Sequence, residues 1–410
     1  MDQRKTEHRS RDERGRTAER FVVDCVRAAI GNRRGRFDWV DADLEWDRVV
    51  ALATKHGVSS LIVSAIETHS VQNVPDSHLQ TLENRTKYVS QRNLRLFQEV
   101  ATLSAAFQNE GISAIPYRGP VAGEVIFGSV GRREFGDLDF LVSRESIPDL
   151  RSVLLERGYD HQYVLETTGD LTENQRWAYA RFSRDYAFVH RTEPFEVELH
   201  WRVVSRRFPS TIDLGTVWER RSTLPVAGTD VPVLGHEDRL LMLCVHGTRH
   251  RWERLMWLCD VCAYINTQSF DWDTVLERAR RHSRERMLYL GLAVADELLG
   301  VGLPETVRRA IDRDPVIDSL TSHVRNRLFD EATYWHLDTK RYQARTLDRR
   351  RDRVAFWIKG AIEPDRGEIE LLSLPRPLVP LYSLVRCFRI GRATLNRLLT
   401  PTKCGEKRNE

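Results

Sequence analysis

The hydrophobic period of this chain changes twice along its length, and that change restricts the folds open to it more than any other feature. From Phe21, the runs FVVDCVRAAIG and WDRVVALATKHGVSSLIVSAIETH repeat apolar residues at helical spacing, and residues 94–107 continue the pattern to Gly111. The period then shortens. ISAIPYRG, DLDFLVS, DYAFVH and FEVELHWRV are short runs rich in β-branched and aromatic residues, each bounded by Gly, Pro or charged side chains, and they read as strands of one sheet. Between them PVAGEVIF and SIPDLRSVLLERGY have helical spacing, with Ser146 placed as an N-cap and Pro148 in the first turn. The predicted order is helix, strand, helix, strand, helix, strand, strand. Beyond Pro209 the helical period returns, and EDRLLMLCVHGTRHRWERLMWLCDVCAYI and DTVLERARRHSRERMLYLGLAVADELLG each read as one long amphipathic helix.

This pattern predicts an α/β (α+β) protein whose small mixed sheet is flanked by N-terminal and C-terminal helical regions. The expected units are a charged tail at 1–20, an N-terminal helical region at 21–90, the sheet-bearing core at 91–205, a helical domain at 206–325 and a charged, amphipathic helical segment at 326–410. With 41% hydrophobic and 30% charged residues the chain has the composition of a soluble globular protein, and no run approaches the roughly 18 apolar residues of a spanning helix. The opening MDQRKTEHRSRDERGR has no apolar core of a signal peptide and the six cysteines are scattered, so a cytoplasmic location is expected. Lys and Arg number 63 against 59 Asp and Glu, so most charge cancels; a nucleic-acid partner is open but not favoured.

The chemistry concentrates in YRGPVAGEVIFGSVGRREFGDLDFLV. Asp137 and Asp139 are one residue apart in an extended pattern, so both carboxylates point to one strand face, while Leu138, Phe140 and Val142 alternate onto the other. Glu198, in FEVELHW, completes a three-carboxylate cluster if its strand lies beside the first; Glu196, two residues earlier, shares its face. Such a cluster repels itself unless cations intervene. A pair of Mg²⁺ ions about 3.5–4 Å apart relieves that repulsion and polarises a phosphate for in-line displacement. Upstream, Gly128 and Ser129 allow a backbone approach to phosphates, and Arg118, Arg132 and Arg133 are candidate phosphate ligands.

These residues together resemble the uncharacterised nucleotidyltransferase family of the polymerase-beta-like nucleotidyltransferase superfamily. The pattern is a Lys-Gly pair, an aromatic-Gly pair, an Arg four residues before Asp-x-Asp, and a strand reading acidic-Leu-His-Trp. Here its elements fall on Arg118 and Gly119, Phe127 and Gly128, Arg133, Asp137 and Asp139, and Glu198 with His200 and Trp201. Arg118 stands where the pattern has Lys, and the interval from Gly128 to Asp137 is short. The resemblance continues through CVHGTRHRWERLMWLCDV and LPRPLVPLYSLVR. It implies Mg²⁺-dependent transfer of a nucleoside monophosphate from an NTP, Mn²⁺ being an alternative ion, with pyrophosphate released and the acceptor unidentified. It also selects Glu198 over Glu196 and Arg133 over Arg132. The competing expectation is a non-catalytic nucleotide-binding regulator or antitoxin-like partner.

Other features read differently. His246 and His250 are four apart on a helix face, a spacing that suits zinc; without further ligands they are expected either to be structural or, with Arg254 and Asp260 on the same long helix, to line a cleft opposite the carboxylates. His200 is expected on the sheet face opposite Glu198, as a core histidine. Cys259 and Cys262 read as buried thiols, Trp252, Trp257 and Trp272 as packing aromatics, the basic run at 340–353 as a solvated helix face, and the amphipathic C-terminus as packed helix.

Overall fold

The computed structural model describes residues 17–31, 37–40, 43–162, 171–208, 212–330 and 336–399. Of the charged N-terminal stretch, 1–16 lie outside the described residues and 17–20 form the first turn of helix α1 (17–30). Helices α2 (Trp46–His56), α3 (Ser59–His69) and the long α4 (Asp76–Asn109) follow. Next come β1 (Ala114–Pro116), α5 (Gly119–Phe127), β2 (Leu138–Val142), α6 (Ile147–Glu156), β3 (Tyr159–Gln162), α7 (Glu173–Phe182), β4 (Asp185–His190) and β5 (Glu196–His200). The five strands form one mixed sheet in the order β1-β2-β5-β4-β3. β2 and β5 run parallel, and every other neighbouring pair is antiparallel. The expected α/β class with helical flanks is the observed one.

All five residues of β2 are buried, so alternation here separates two interiors instead of core from solvent. Leu138, Phe140 and Val142 join Leu96, Val100 and Phe107 of α4 in one core. Leu141, on the other face, joins a second and larger core in which α1, α2 and α3 pack with the C-terminal helices. Asp139 shares that second face by period 2, and so lies between the sheet and the helical body.

After the sheet come α8 (Leu214–Glu219), then β6 (Ser222–Val226) and β7 (Thr229–Val233), a hairpin where the sequence pattern predicts helix. Ala227 and Gly228 both have positive φ, 47° and 81°, the two-residue turn whose twist suits antiparallel strands. Val226, Val231 and Val233 carry the hairpin into the core of the main sheet. Strand β3 and helix α7 are likewise absent from the order read from the sequence.

The two long helices expected after Pro209 are each broken. The first divides into α9 (His236–Arg249) and α10 (Leu255–Thr267), the second into α11 (Trp272–Arg281) and α12 (Glu285–Leu299). Both breaks use left-handed residues, Arg251 and Trp252 at φ 59° and 57° and Ser283 at φ 52°. Each is closed by an amide five residues beyond its acceptor, Trp252 N to Gly247 O at 2.8 Å and Arg284 N to Ala279 O at 2.7 Å. The Trp252 indole explains the first break. It is 0% exposed and occupies the space that a side chain on Gly247 or Gly291 would need, since a Cβ there would meet the ring at 2.3 Å and 2.9 Å.

The chain ends in α13 (Glu305–Asp312), α14 (Ile317–Leu328), α15 (His336–Arg345), α16 (Arg350–Ile362), α17 (Arg366–Leu371) and α18 (Tyr382–Leu399). Among the described residues no helix is long and apolar enough to cross a membrane.

Candidate active site

The parallel register of β2 and β5 places Asp139 directly across from Glu198. Glu196 instead sits one step off, against Val189 of β4. His200 follows Glu198 by two residues, and period 2 puts both on one sheet face, which corrects the expectation that His200 points away. Its Nε2 lies 2.7 Å from Asp139 Oδ1 and 2.9 Å from Glu198 Oε2, and the ring is fully buried, with Tyr117 edge-on at 5.6 Å. A side chain that reads as core filling therefore ties two carboxylates together.

Arg118 is held where β1 passes into α5. Tyr117 N donates to Asp139 O at 3.1 Å, extending the β1–β2 pairing by one residue. Gly119 then turns the chain at φ 62°, and a Cβ there would meet the Asp137 carbonyl at 2.9 Å, so the turn admits only glycine without strain. The Arg118 guanidinium donates from Nη2 to Asp139 Oδ1 and from Nη1 to the His246 ring, 2.5 Å from Nδ1. It is thus a bridge between the sheet and α9.

The charges settle accordingly. Burial pushes the Asp139 carboxyl up, but Arg118 and the hydrogen bond from His200 outweigh it and hold Asp139 well below the usual carboxylate range. Glu198 is also held down, because the His200 contact overcomes its burial. Asp137 immediately precedes β2; the neighbouring Asp139 charge and then burial raise its pKa to about 6. Asp139 Oδ2 is buried and has no hydrogen-bond partner. Ligand atoms of Asp139, Glu198 and His200 lie within 4.8 Å of one another. An orphaned carboxylate oxygen amid crowded acidic groups fits a divalent cation, and oxygen donors suit Mg²⁺ or Mn²⁺.

These groups open on a cleft of about 420 Å³ lined also by Gly119, Arg184, His246, Arg249, His250, Arg254 and Trp257. The break between α9 and α10 supplies one wall. His246 and His250 lie with ring centroids 4.7 Å apart and planes tilted by 48°, and Trp257 packs edge-on to His246 at 5.0 Å. Both rings face arginine donors, Arg118 for His246 and Arg249, at 2.6 Å, for His250. Burial and then Arg118 push both histidines down, His250 to about 3, so they are neutral acceptors near neutral pH. Asp260 is on α10, not on one helix with His246; it receives Arg133 Nε at 2.9 Å and 3.0 Å on its two oxygens. Arg133 lines the cleft with its guanidinium engaged in that pair and its side chain buried.

Gly128 and Ser129 lie elsewhere. Gly128 ends α5 at φ 62°, and Ser129 caps the short 3₁₀ turn Val130–Arg132 by accepting from Gly131 N at 3.3 Å. Neither is among the described residues lining the cleft. Arg132 turns toward α3, its Nη2 reaching Ser64 Oγ at 3.5 Å. Cys259 and Cys262 are buried free thiols. Arg184, which the sequence reading does not single out, precedes β4; its carbonyl accepts from Trp201 N at 3.0 Å, and its Nη1 is buried without a hydrogen-bond partner. Arg184 and Glu198 line a second cavity of about 490 Å³ as well, whose far wall is Pro364–Gly367 with Arg389. An arginine leading into the strand beside Glu198 was the available signal.

A mixed sheet that presents paired carboxylates to an arginine-lined cleft offers donors that could hold a divalent cation beside groups that could meet an anion. The chain belongs to a family described as uncharacterised nucleotidyltransferases, whose sequence profile matches residues 42–300. No curated protein and no solved structure matches it.

Proposed function

We propose that the protein transfers a nucleoside monophosphate from an NTP to an acceptor nucleophile and releases pyrophosphate. The observation that carries this reading is the β2–β5 register, which sets Asp139 with its unpartnered Oδ2 across from Glu198 at the floor of the arginine-lined cleft. The family supports transferase activity, and the donor set is consistent with nucleotidyl transfer.

In this reading Asp137, Asp139 and Glu198 would hold Mg²⁺, or Mn²⁺ in its place, and His200 keeps two of those carboxylates in position. The bound metal would supply charge neutralisation at the carboxylates and polarisation of the α-phosphate. The triphosphate lies along the cleft, where Arg118, Arg184 and Arg254 meet its oxygens and the Gly119 amide, at the start of α5, faces it. Arg133 acts through its pair with Asp260, fixing α10 against the sheet. Glu198, ionised and facing both cavities, accepts the proton of the incoming nucleophile. The nucleophile forms its bond to the α-phosphorus as the bond to the β-phosphate oxygen breaks, and the arginines stabilise the departing pyrophosphate. The second cavity gives the acceptor its own approach to Glu198.

The test is to supply α-labelled and γ-labelled NTPs in parallel with Mg²⁺ and cell extract. Label from the α position should enter an acceptor while γ label leaves in pyrophosphate; γ label in the acceptor would replace nucleotidyl transfer by phosphoryl transfer.

A further inference from the structure

Exposed apolar side chains are normal when scattered, and here they are not scattered. Of fourteen large hydrophobic residues exposed among the described residues, eleven fall between Val354 and Ile390. Helix α16 buries Asp352, Phe356 and Gly360 at intervals of four, with Phe356 against Phe208 at 5.3 Å. Its opposite side carries Val354, Trp357, Ile358 and Ile362 at helical spacing, all exposed, so the helix is apolar outward as well as inward. Helix α18 does the same. Tyr382 and Arg386 are buried, Arg386 donating to Gly360 O at 3.0–3.1 Å, while Leu384 and Phe388 stand 66% and 72% exposed. Cys387 Sγ reaches Ala361 O at 3.8 Å, so the two outward stripes adjoin.

Charge selects what covers this face. Residues 371–399 contain no Asp or Glu. The acidic residues of 349–370 turn inward or are paired: Asp352, Glu368 and Glu370 are buried, Glu363 meets Arg206, and Asp365 meets Arg207 and Arg386. Arg349, Arg350, Arg351, Arg389 and Arg392 remain exposed. A second copy of the chain would set arginine against arginine. Adjoining helices that project aliphatic and aromatic side chains beside arginines have instead the make-up of an interfacial surface, whose apolar residues enter the acyl boundary while the cations meet phosphate headgroups.

We propose that the α16–α18 face docks the protein peripherally on an anionic phospholipid surface. This stands independently of the transferase reading, since none of the exposed apolar side chains, and neither Arg350 nor Arg392, lines the cleft or the second cavity.

The test is sedimentation of the full chain with vesicles of phosphatidylcholine alone and of phosphatidylcholine mixed with phosphatidylglycerol. The protein should pellet with the mixed vesicles, release as salt rises, and remain in solution with phosphatidylcholine. Trp357→Ser/Phe388→Ser should weaken binding by roughly tenfold or more, and Arg350→Glu/Arg392→Glu should remove its salt dependence. All four positions are exposed, so the thermal midpoint should not move. Three results would overturn the proposal: no binding to the mixed vesicles, equal binding by the apolar double variant, or a dimer in light scattering that the same variant dissociates.

Discussion

Arg118 is the residue on which both sides of the cleft depend, because one guanidinium meets Asp139 on the sheet and His246 on α9. A lysine keeps the charge but offers no planar fork. Arg118→Lys should therefore reduce kcat/KM by about 10–100-fold while the protein stays folded, the loss being one of positioning; steady-state kinetics with dichroism decide it, and an unchanged kcat/KM would remove Arg118 from the machinery. Gly119→Ala combines positive φ with a backbone clash at the Asp137 carbonyl, and a cost of about 1–3 kcal/mol in denaturant unfolding is expected. At this scale the sequence was informative about placement: Asp137, Asp139 and Glu198 all line the cleft. It was uninformative where tertiary contact decides. Arg133 and Asp260 meet across a separation that spacing cannot show, and Ser129 went to a local cap, the usual competitor for a serine beside a turn.

The break between α9 and α10 matters most among the elements, because it delivers His250, Arg254 and Trp257 to the cleft wall. Amphipathic periodicity runs through residues 250–254 without interruption, so the sequence reads one helix. The stop comes from Trp252, whose indole is accommodated by Gly247, five residues before it, and by Gly291 on α12. Gly247→Ala should cost about 1–3 kcal/mol by overpacking against that ring, and the cost should shrink when Trp252 is also changed to Phe. Chemical denaturation of the two single variants and the double variant measures the coupling; strictly additive losses would mean that Trp252 does not set the break. The hairpin β6–β7 was missed for the opposite reason. Its Ala-Gly turn is a weak signal beside the favoured Asn-Gly, although the alternating valines were there to be read.

For the whole molecule, the buried histidines make stability depend on acid. Burial and then nearby cations hold His56 and His250 to about 3, and His246 well below its ordinary value, whereas the unfolded chain protonates each near 6.5. Below that pH the unfolded state binds more protons, so stability falls by roughly 1.4 kcal/mol per unit for each histidine. Asp137 opposes this from about pH 6 downward, since its raised pKa lets the folded state take up a proton first, and burial raises Glu99, Glu196, Asp260 and Asp348 in the same sense, while His282 and His323, lowered by burial, add to the histidine side. The thermal midpoint should drop between pH 7 and pH 5, and His250→Gln should reduce the slope; a flat profile would contradict the neutral-histidine wall. The α/β class was legible because helix and strand periods are local. That α1–α3 share one core with the C-terminal helices was not, since nothing in the pattern of either stretch names its partner.

The central claim is that the carboxylates on β2 and its approach hold the metal that drives nucleotidyl transfer. It is tested most directly by comparing wild type with Asp137→Asn and Asp139→Asn, confirmed folded by dichroism, for Mg²⁺-dependent pyrophosphate release and transfer of α label from each NTP. The account predicts transfer by the wild type and a loss of about 10³-fold or more in each variant. Equal transfer by wild type and variants would contradict it.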